Sequence, residues 1–235
     1  MRTLQYYTYM FLYIISKMPI IKRLSKLEGE EAVRNRIKTY YELGTISLQR
    51  LMKIAGAEIK VNGAENVPLN EAVLFVSNHQ SNMDIPVLFL SSPNKMSFIA
   101  KKEMENIPGL GKFMKMGNCL FMDRDNPRQS IKTISEGVDL LKKGYSLSVF
   151  PEGTRSKSNQ PGEFKPGSLR LATKSGAKIV PVSLKDTRKL MEDNGNRIKP
   201  AQVEITFHEP IDPSQYQDTN ELNRVVVEKI TSVLL

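Results

Sequence analysis

A single cysteine, Cys119, excludes an internal disulfide framework, and two histidines beside it leave too few ligands for a structural zinc site. A reducing, cytoplasmic setting is the expectation that follows. There is no internal repeat and no low-complexity linker. No uninterrupted apolar run reaches the ~20 residues that a bilayer-spanning helix needs. Three signatures are also missing: the G-x-S-x-G nucleophile elbow, the G-x-x-x-x-G-K-[ST] loop and the G-x-G-x-x-G fingerprint. Acidic residues are short as well, with 25 Asp and Glu against 34 Lys and Arg, a net charge of +9.

What is present describes a folded chain. Its 235 residues are 40% hydrophobic and 25% charged, which rules out wholesale disorder and allows one large domain or one with an appendage. Residues 1–60 carry +6 of the +9, so the basic excess calls for an anionic partner: nucleic acid, anionic lipid or a phosphorylated substrate. Residues 3–16 are charge-free and mostly apolar, and they lead into Lys17, Pro19, Lys22, Arg23 and Lys26. Tyr6, Tyr7, Tyr9 and Tyr13 suit a headgroup-level interface, and the cations suit anionic lipid. An export signal is disfavoured by the single charge before the run and the lack of a small-residue cleavage site. The pattern reads as interfacial anchoring or a re-entrant insertion in preference to an ordinary buried helix.

Residues 30–55 give a second helical stretch, so residues 1–56 are expected to form a membrane-associating helical hairpin. From residue 57 to 235 the texture changes. Strand patterns at 58–61, 72–77, 96–100, 119–122, 146–150, 178–184 and 203–208 alternate with helical ones at 85–90, 102–116, 128–143, 167–175 and 220–234. That alternation predicts a single α/β domain with a mostly parallel central sheet flanked by helices.

Chemistry-bearing residues fall at predicted strand ends, where sites form in open α/β sheets. Asn78-His79-Gln80-Ser81-Asn82-Met83-Asp84 follows one strand; His79 suits a general base, with Asp84 on its other ring nitrogen or, alternatively, as a helix N-cap before Pro86. Phe150-Pro151-Glu152-Gly153-Thr154-Arg155-Ser156 follows another. Gly153 permits a tight turn, Arg155 a bidentate phosphate grip, and Glu152 the holding of Arg155 or another cation. Lys101 emerges from a third strand end, and Asp123-Arg124 closes a fourth. Cys119 lies in an apolar run and reads as a packed thiol. Pro181, within Ile179-Val180-Pro181-Val182, suits an edge, bulge or strand end. A base without a nucleophile beside it points to a substrate that brings its own, such as a hydroxyl.

In this order the blocks N-H-Q-S-N-M-D (Asn78 to Asp84), F-x-D-R (Phe121 to Arg124), F-P-E-G-T-R-S (Phe150 to Ser156) and I-V-P-V (Ile179 to Val182) resemble the glycerolipid acyltransferases, specifically the 1-acyl-sn-glycerol-3-phosphate acyltransferases, over residues 57–208. The resemblance implies that His79 deprotonates the hydroxyl of lysophosphatidic acid for attack on an acyl thioester, oriented by Asp84. It implies acceptor-phosphate contacts from Lys101, Arg124 and Arg155, a pocket shaped by Glu152 and Gly153, and Pro181 in the acyl or acceptor site. It also implies acyl-CoA or acyl-acyl carrier protein as the anionic donor, no metal or further cofactor, and a place on the cytoplasmic face of the cell membrane among its phospholipids. One departure stands out: the second block's glycine is expected where Asn118 stands, one residue after Gly117. Asn tolerates left-handed backbone, so the turn is expected to survive. Shared motifs keep open a glycerol 3-phosphate or other lysolipid acceptor, and a thioesterase sending the acyl group to water. A non-catalytic module for anionic membranes or nucleic acid explains the charge but not the strand-end cluster, and no nucleic-acid motif is present.

Overall fold

Unbroken apolar strands need cover on both faces. Val73–Ser77 is such a strand (β2): Val73 and Phe75 point into one apolar layer, Leu74 and Val76 into the other. The computed structural model, which describes residues 1–156, 158 and 160–234, builds a three-layer α/β/α arrangement around it. The other strands are β1 (Ala57–Asn62), β3 (Met96–Lys101), β4 (Leu120–Met122), β5 (Ser146–Val149), β6 (Lys178–Lys185) and β7 (Ala201–Phe207), in sheet order β1-β7-β6-β2-β5-β3-β4. Every neighbouring pair is parallel except β6–β7. The carboxyl ends of β6, β2, β5, β3 and β4 therefore share one edge of the sheet.

One face is covered by α1 (Arg2–Leu24), α2 (Glu30–Ala55), α3 (Asp84–Ser91) and α4 (Leu110–Met116). The other is covered by α5 (Pro127–Lys142), α6 (Arg170–Ser175) and α7 (Thr219–Thr231). Helix α5 starts where Asn126 caps the Gln129 N–H at 3.2 Å with Pro127 in the first turn, and α7 where Asp218 caps Asn220 at 2.9 Å. Leu222, Val226 and Ile230 recur at i+4 and give α7 its buried stripe.

Helix α1 extends past residue 16 and through Pro19 to Leu24. It buries only Tyr6 and Ile21, leaving Leu4, Tyr7, Phe11, Leu12 and Ile15 exposed along its outer side. The hairpin shares the sheet's core: Thr3 Oγ1 accepts the Ile198 N–H at 3.0 Å, and the Tyr40 ring packs between Phe89 and Phe113. No helix among the described residues is long and apolar enough to cross a membrane.

Two local expectations need correction, and a third is narrowed. The single helix over 102–116 is a 3₁₀ turn (Lys102–Asn106) followed by α4, because Pro108 and left-handed Gly109 (φ +78°) interrupt the pattern. The helix expected over 167–175 opens as a 3₁₀ turn, Pro166–Leu169, before α6. Pro181 lies inside a central strand, β6. Its carbonyl accepts the His208 N–H at 3.0 Å, and its missing donor falls between the Ile179–Ile211 bridge and the first β6–β7 pair, Val182–Phe207. Two residues of β6, 180 and 181, face three of its partner, 208 to 210, so of the three placements expected for this proline the structure shows the bulge, and neither the edge nor the strand end.

Candidate active site

Parallel strands bring residues far apart in sequence to one edge. From the end of β2 the chain turns through 78–83 into α3, whose first residue, Asp84, aims its side chain back at that turn. The His79 ring nitrogen Nδ1 lies 2.7 Å from Asp84 Oδ2, which also accepts the N–H groups of Gln80 at 2.6 Å and Ser81 at 2.8 Å. The other carboxylate oxygen, Oδ1, accepts the Thr187 hydroxyl. Asp84 is completely buried while His79 keeps 15% exposure, so the pair has one solvent-facing end. An acceptor-only carboxylate makes Nδ1 the donor, leaving Nε2 with a lone pair for a substrate proton. The imidazole is stacked on Phe150, ring centroids 4.2 Å apart.

Glu152 does not hold Arg155. It is buried, and its two oxygens accept the backbone N–H of His79 at 2.6 Å and of Gly162 at 2.7 Å, clamping the histidine loop to the segment after β5. Burial raises its carboxyl above the ordinary range, with those two N–H groups acting in the opposite direction. The Ser156 N–H donates to His79 C=O at 2.8 Å, a second tie between the same loops.

A cavity of about 520 Å³ opens beside His79, between the sheet edge and the helical hairpin. Lys101, Arg124, Gly153, Thr154 and Arg155 line it together with His79. Its remaining wall is mostly apolar, with Ile14, Leu48, Leu51, Phe89, Phe113 and Met114 drawn from α1 to α4. Gly153 has φ +71°, and a Cβ there would have nothing closer than 3.7 Å, so the glycine is required by backbone conformation and not by crowding. Partial burial lowers Arg124 from the usual guanidinium value, an effect opposed by Glu103, and the group stays cationic. Lys101 is paired with Glu103 at 2.7 Å.

The structure thus brings together His79, Asp84, Lys101, Arg124, Gly153 and Arg155. Glu152 stands behind the histidine as a clamp and does not line the cavity; neither does Pro181, which is buried in β6 opposite Val76. The altered glycine position resolves into two requirements. Asn118 takes φ +56°, the left-handed turn, while a Cβ on Gly117 would lie 2.4 Å from the Tyr40 ring.

Two residues of this edge carried no local signal in the sequence, Thr187 and Glu192. Both follow the carboxyl end of β6, and applying the strand-end rule to β6 as well as to β2 and β5 would have found the segment. Glu192 Oε1 accepts Arg155 Nη1 at 2.8 Å and the Asn82 N–H at 2.9 Å.

The acyltransferase family model matches residues 58–185 of this chain. A probable 1-acyl-sn-glycerol-3-phosphate acyltransferase of Mycoplasma pneumoniae is 33% identical over 226 residues, 90% of this chain and 82% of that protein. The chloroplastic 1-acyl-sn-glycerol-3-phosphate acyltransferase LPAT1 of Arabidopsis thaliana is 38% identical over 160 residues, 67% of this chain but 45% of the plant protein. Among solved structures, the crystal structure of the 1-acyl-sn-glycerophosphate (LPA) acyltransferase PlsC from Thermotoga maritima matches with a TM-score of 0.83 at 30% identity, over 99% of this chain and 93% of that one.

Proposed function

From the premise that the chain belongs to the acyltransferase family, among the 1-acyl-sn-glycerol-3-phosphate acyltransferases, we propose that it moves a fatty acyl group from a thioester to the sn-2 hydroxyl of lysophosphatidic acid, giving phosphatidic acid. The observation that carries this reading is the His79–Asp84 pair, 2.7 Å apart, opening onto a cavity lined by cations and by a mostly apolar wall.

His79 Nε2 takes the hydroxyl proton as the acceptor oxygen attacks the thioester carbonyl. The buried Asp84 carboxylate holds Nδ1–H and stabilises the imidazolium that forms. The carbon–sulfur bond then breaks, and the imidazolium proton goes to the departing thiolate. The cycle closes with neutral histidine, an ester and a free thiol. Lys101, Arg124 and Arg155 hold the acceptor phosphate, with Gly153 letting the backbone turn beneath it, and the apolar wall accepts an acyl chain. The donor is acyl-CoA or acyl-acyl carrier protein, and no metal or other cofactor enters.

Residues 1–56 serve as the membrane-associating hairpin and residues 57–235 as the acyltransferase domain. The exposed apolar side of α1 and the cations Lys22, Arg23 and Lys26 at its end support a seat on anionic phospholipid at the cytoplasmic face.

The test is the purified chain on anionic liposomes, offered acyl-CoA or acyl-acyl carrier protein with lysophosphatidic acid or glycerol 3-phosphate, beside folded His79→Ala. Phosphatidic acid from the wild type and not from the variant supports the reaction and the base together. Wild-type turnover by the variant refutes the mechanism, and lysophosphatidic acid formed from glycerol 3-phosphate moves the acceptor.

A further inference from the structure

The carboxylate of Glu192 meets three donors. Besides Arg155 Nη1 and the Asn82 N–H, its second oxygen accepts the Ser81 hydroxyl. Ser81 and Asn82 belong to the His79–Asp84 turn, and Asn82 and Arg155 both line the cavity. One side chain, on the turn after β6, therefore joins the loops that follow β2 and β5. The Glu192 side chain is only 13% exposed, whereas Arg155 keeps 43%.

The turn carrying Glu192 is itself fixed. Arg188 Nε donates to Asp193 at 2.9 Å, and Arg188 Nη1 donates to the Ser156 carbonyl at 2.7 Å, next to Arg155 in the chain. A guanidinium has five N–H donors in a rigid plane. With Nη1 tied to Glu192, the remaining donors have no partner among the described residues and are open to an anion, in an orientation set before the anion arrives. An arginine without that tie samples many rotamers and must be ordered by its ligand.

We infer that Glu192 is a positioning residue: it anchors Arg155 beside the cavity, its own carboxylate held in place by the Ser81 and Asn82 donors. This rests on the phosphate role given to Arg155 above. Glu192 acts through Arg155, so its effect belongs in acceptor affinity and vanishes when Arg155 is gone.

The experiment is a double-mutant cycle on the full chain in anionic liposomes, reading KM and kcat for lysophosphatidic acid at saturating acyl donor. Glu192→Ala is expected to raise the acceptor KM about tenfold. Its kcat and its KM for the acyl donor stay within about threefold of wild type. In an Arg155→Ala background, Glu192→Ala moves the acceptor KM by less than about twofold. Glu192→Gln keeps acceptors for Arg155 and Asn82 and stays within about threefold of wild type. An unchanged or lowered acceptor KM in Glu192→Ala overturns the inference; a lowered value would make Glu192 a competitor of the phosphate. So does an equal rise with and without Arg155, or a Gln variant as impaired as Ala. If the wild type forms no phosphatidic acid, the proposed reaction fails. The same cycle, read as the equilibrium Kd for lysophosphatidic acid, still decides the anchor.

Discussion

Replacing Asp84 by Asn separates two things a carboxylate does for a histidine: fixing its tautomer and supplying charge. Three donors converge on Oδ2, from His79, Gln80 and Ser81, and a single hydroxyl, Thr187, meets Oδ1. An asparagine turned with its oxygen toward the three N–H groups would face Thr187 with its NH₂, and a hydroxyl can rotate to accept. The turn, the Nδ1–H tautomer and the fold should therefore survive, and only the negative charge is lost. The difference between a charge-assisted and a neutral hydrogen bond is about 1–2 kcal/mol. A full ion pair with charge centres ~4 Å apart at an effective dielectric of ~20 gives ~4 kcal/mol. At about 1.4 kcal/mol per decade, the acyl-transfer rate of Asp84→Asn should fall between roughly tenfold and a thousandfold. The assay is single-turnover transfer from a labelled acyl thioester, with thermal melting as the control. Asp84→Ala should behave differently, leaving three buried N–H groups without acceptors at about 1–3 kcal/mol each, and should lose both stability and turnover. Adding Thr187→Val to Asp84→Asn removes the acceptor that orients the amide and should deepen the loss beyond the product of the single effects. Wild-type turnover in Asp84→Asn, or a melting loss equal to that of Asp84→Ala, would refute the reasoning.

Arg155→Ala should raise the acceptor KM about tenfold to a hundredfold with a smaller change in kcat, as steady-state kinetics with lysophosphatidic acid would show. Gly153→Ala should cost about 1–2 kcal/mol in denaturant melts through backbone strain at φ +71°, since its Cβ meets no close atom. His208, lowered from its usual value by burial and then by Lys229, contributes stability above pH 6.5 that is lost as the pH falls toward its folded value, because the unfolded chain takes up the proton first. A series of melts below pH 6.5 should show this slope, and His208→Gln should flatten it.

Much of the fold was legible because β2 and its neighbours are unbroken apolar strands separated by helical periodicity, and the four motif blocks sit at their ends. Legibility failed where contacts are long-range. Thr187 reaches Asp84, and Glu192 reaches Ser81, across more than a hundred residues. Nothing in either neighbourhood encodes such a meeting; it exists only once β6 has paired with β2. Glu152 illustrates the other limit. Its placement beside Arg155 invited an ion pair, yet two backbone N–H groups claimed the carboxylate, because a strand-end turn needs acceptors for its own amides. The 102–116 error was of a different kind, since Pro108-Gly109 announced the break.

The pairing of β1 with β7 has a consequence for how the protein is made. Ala57 meets Ala201 and Asn62 meets Thr206, so the strand that follows the hairpin has no partner until residues 201–206 have left the ribosome. Until then β1 offers an open edge, and α1 and α2 have only part of the surface they will finally cover. A nascent chain held at that stage exposes the apolar side of α1 throughout the synthesis of the intervening residues, an interval in which a nearby bilayer, or a chaperone, can first receive it.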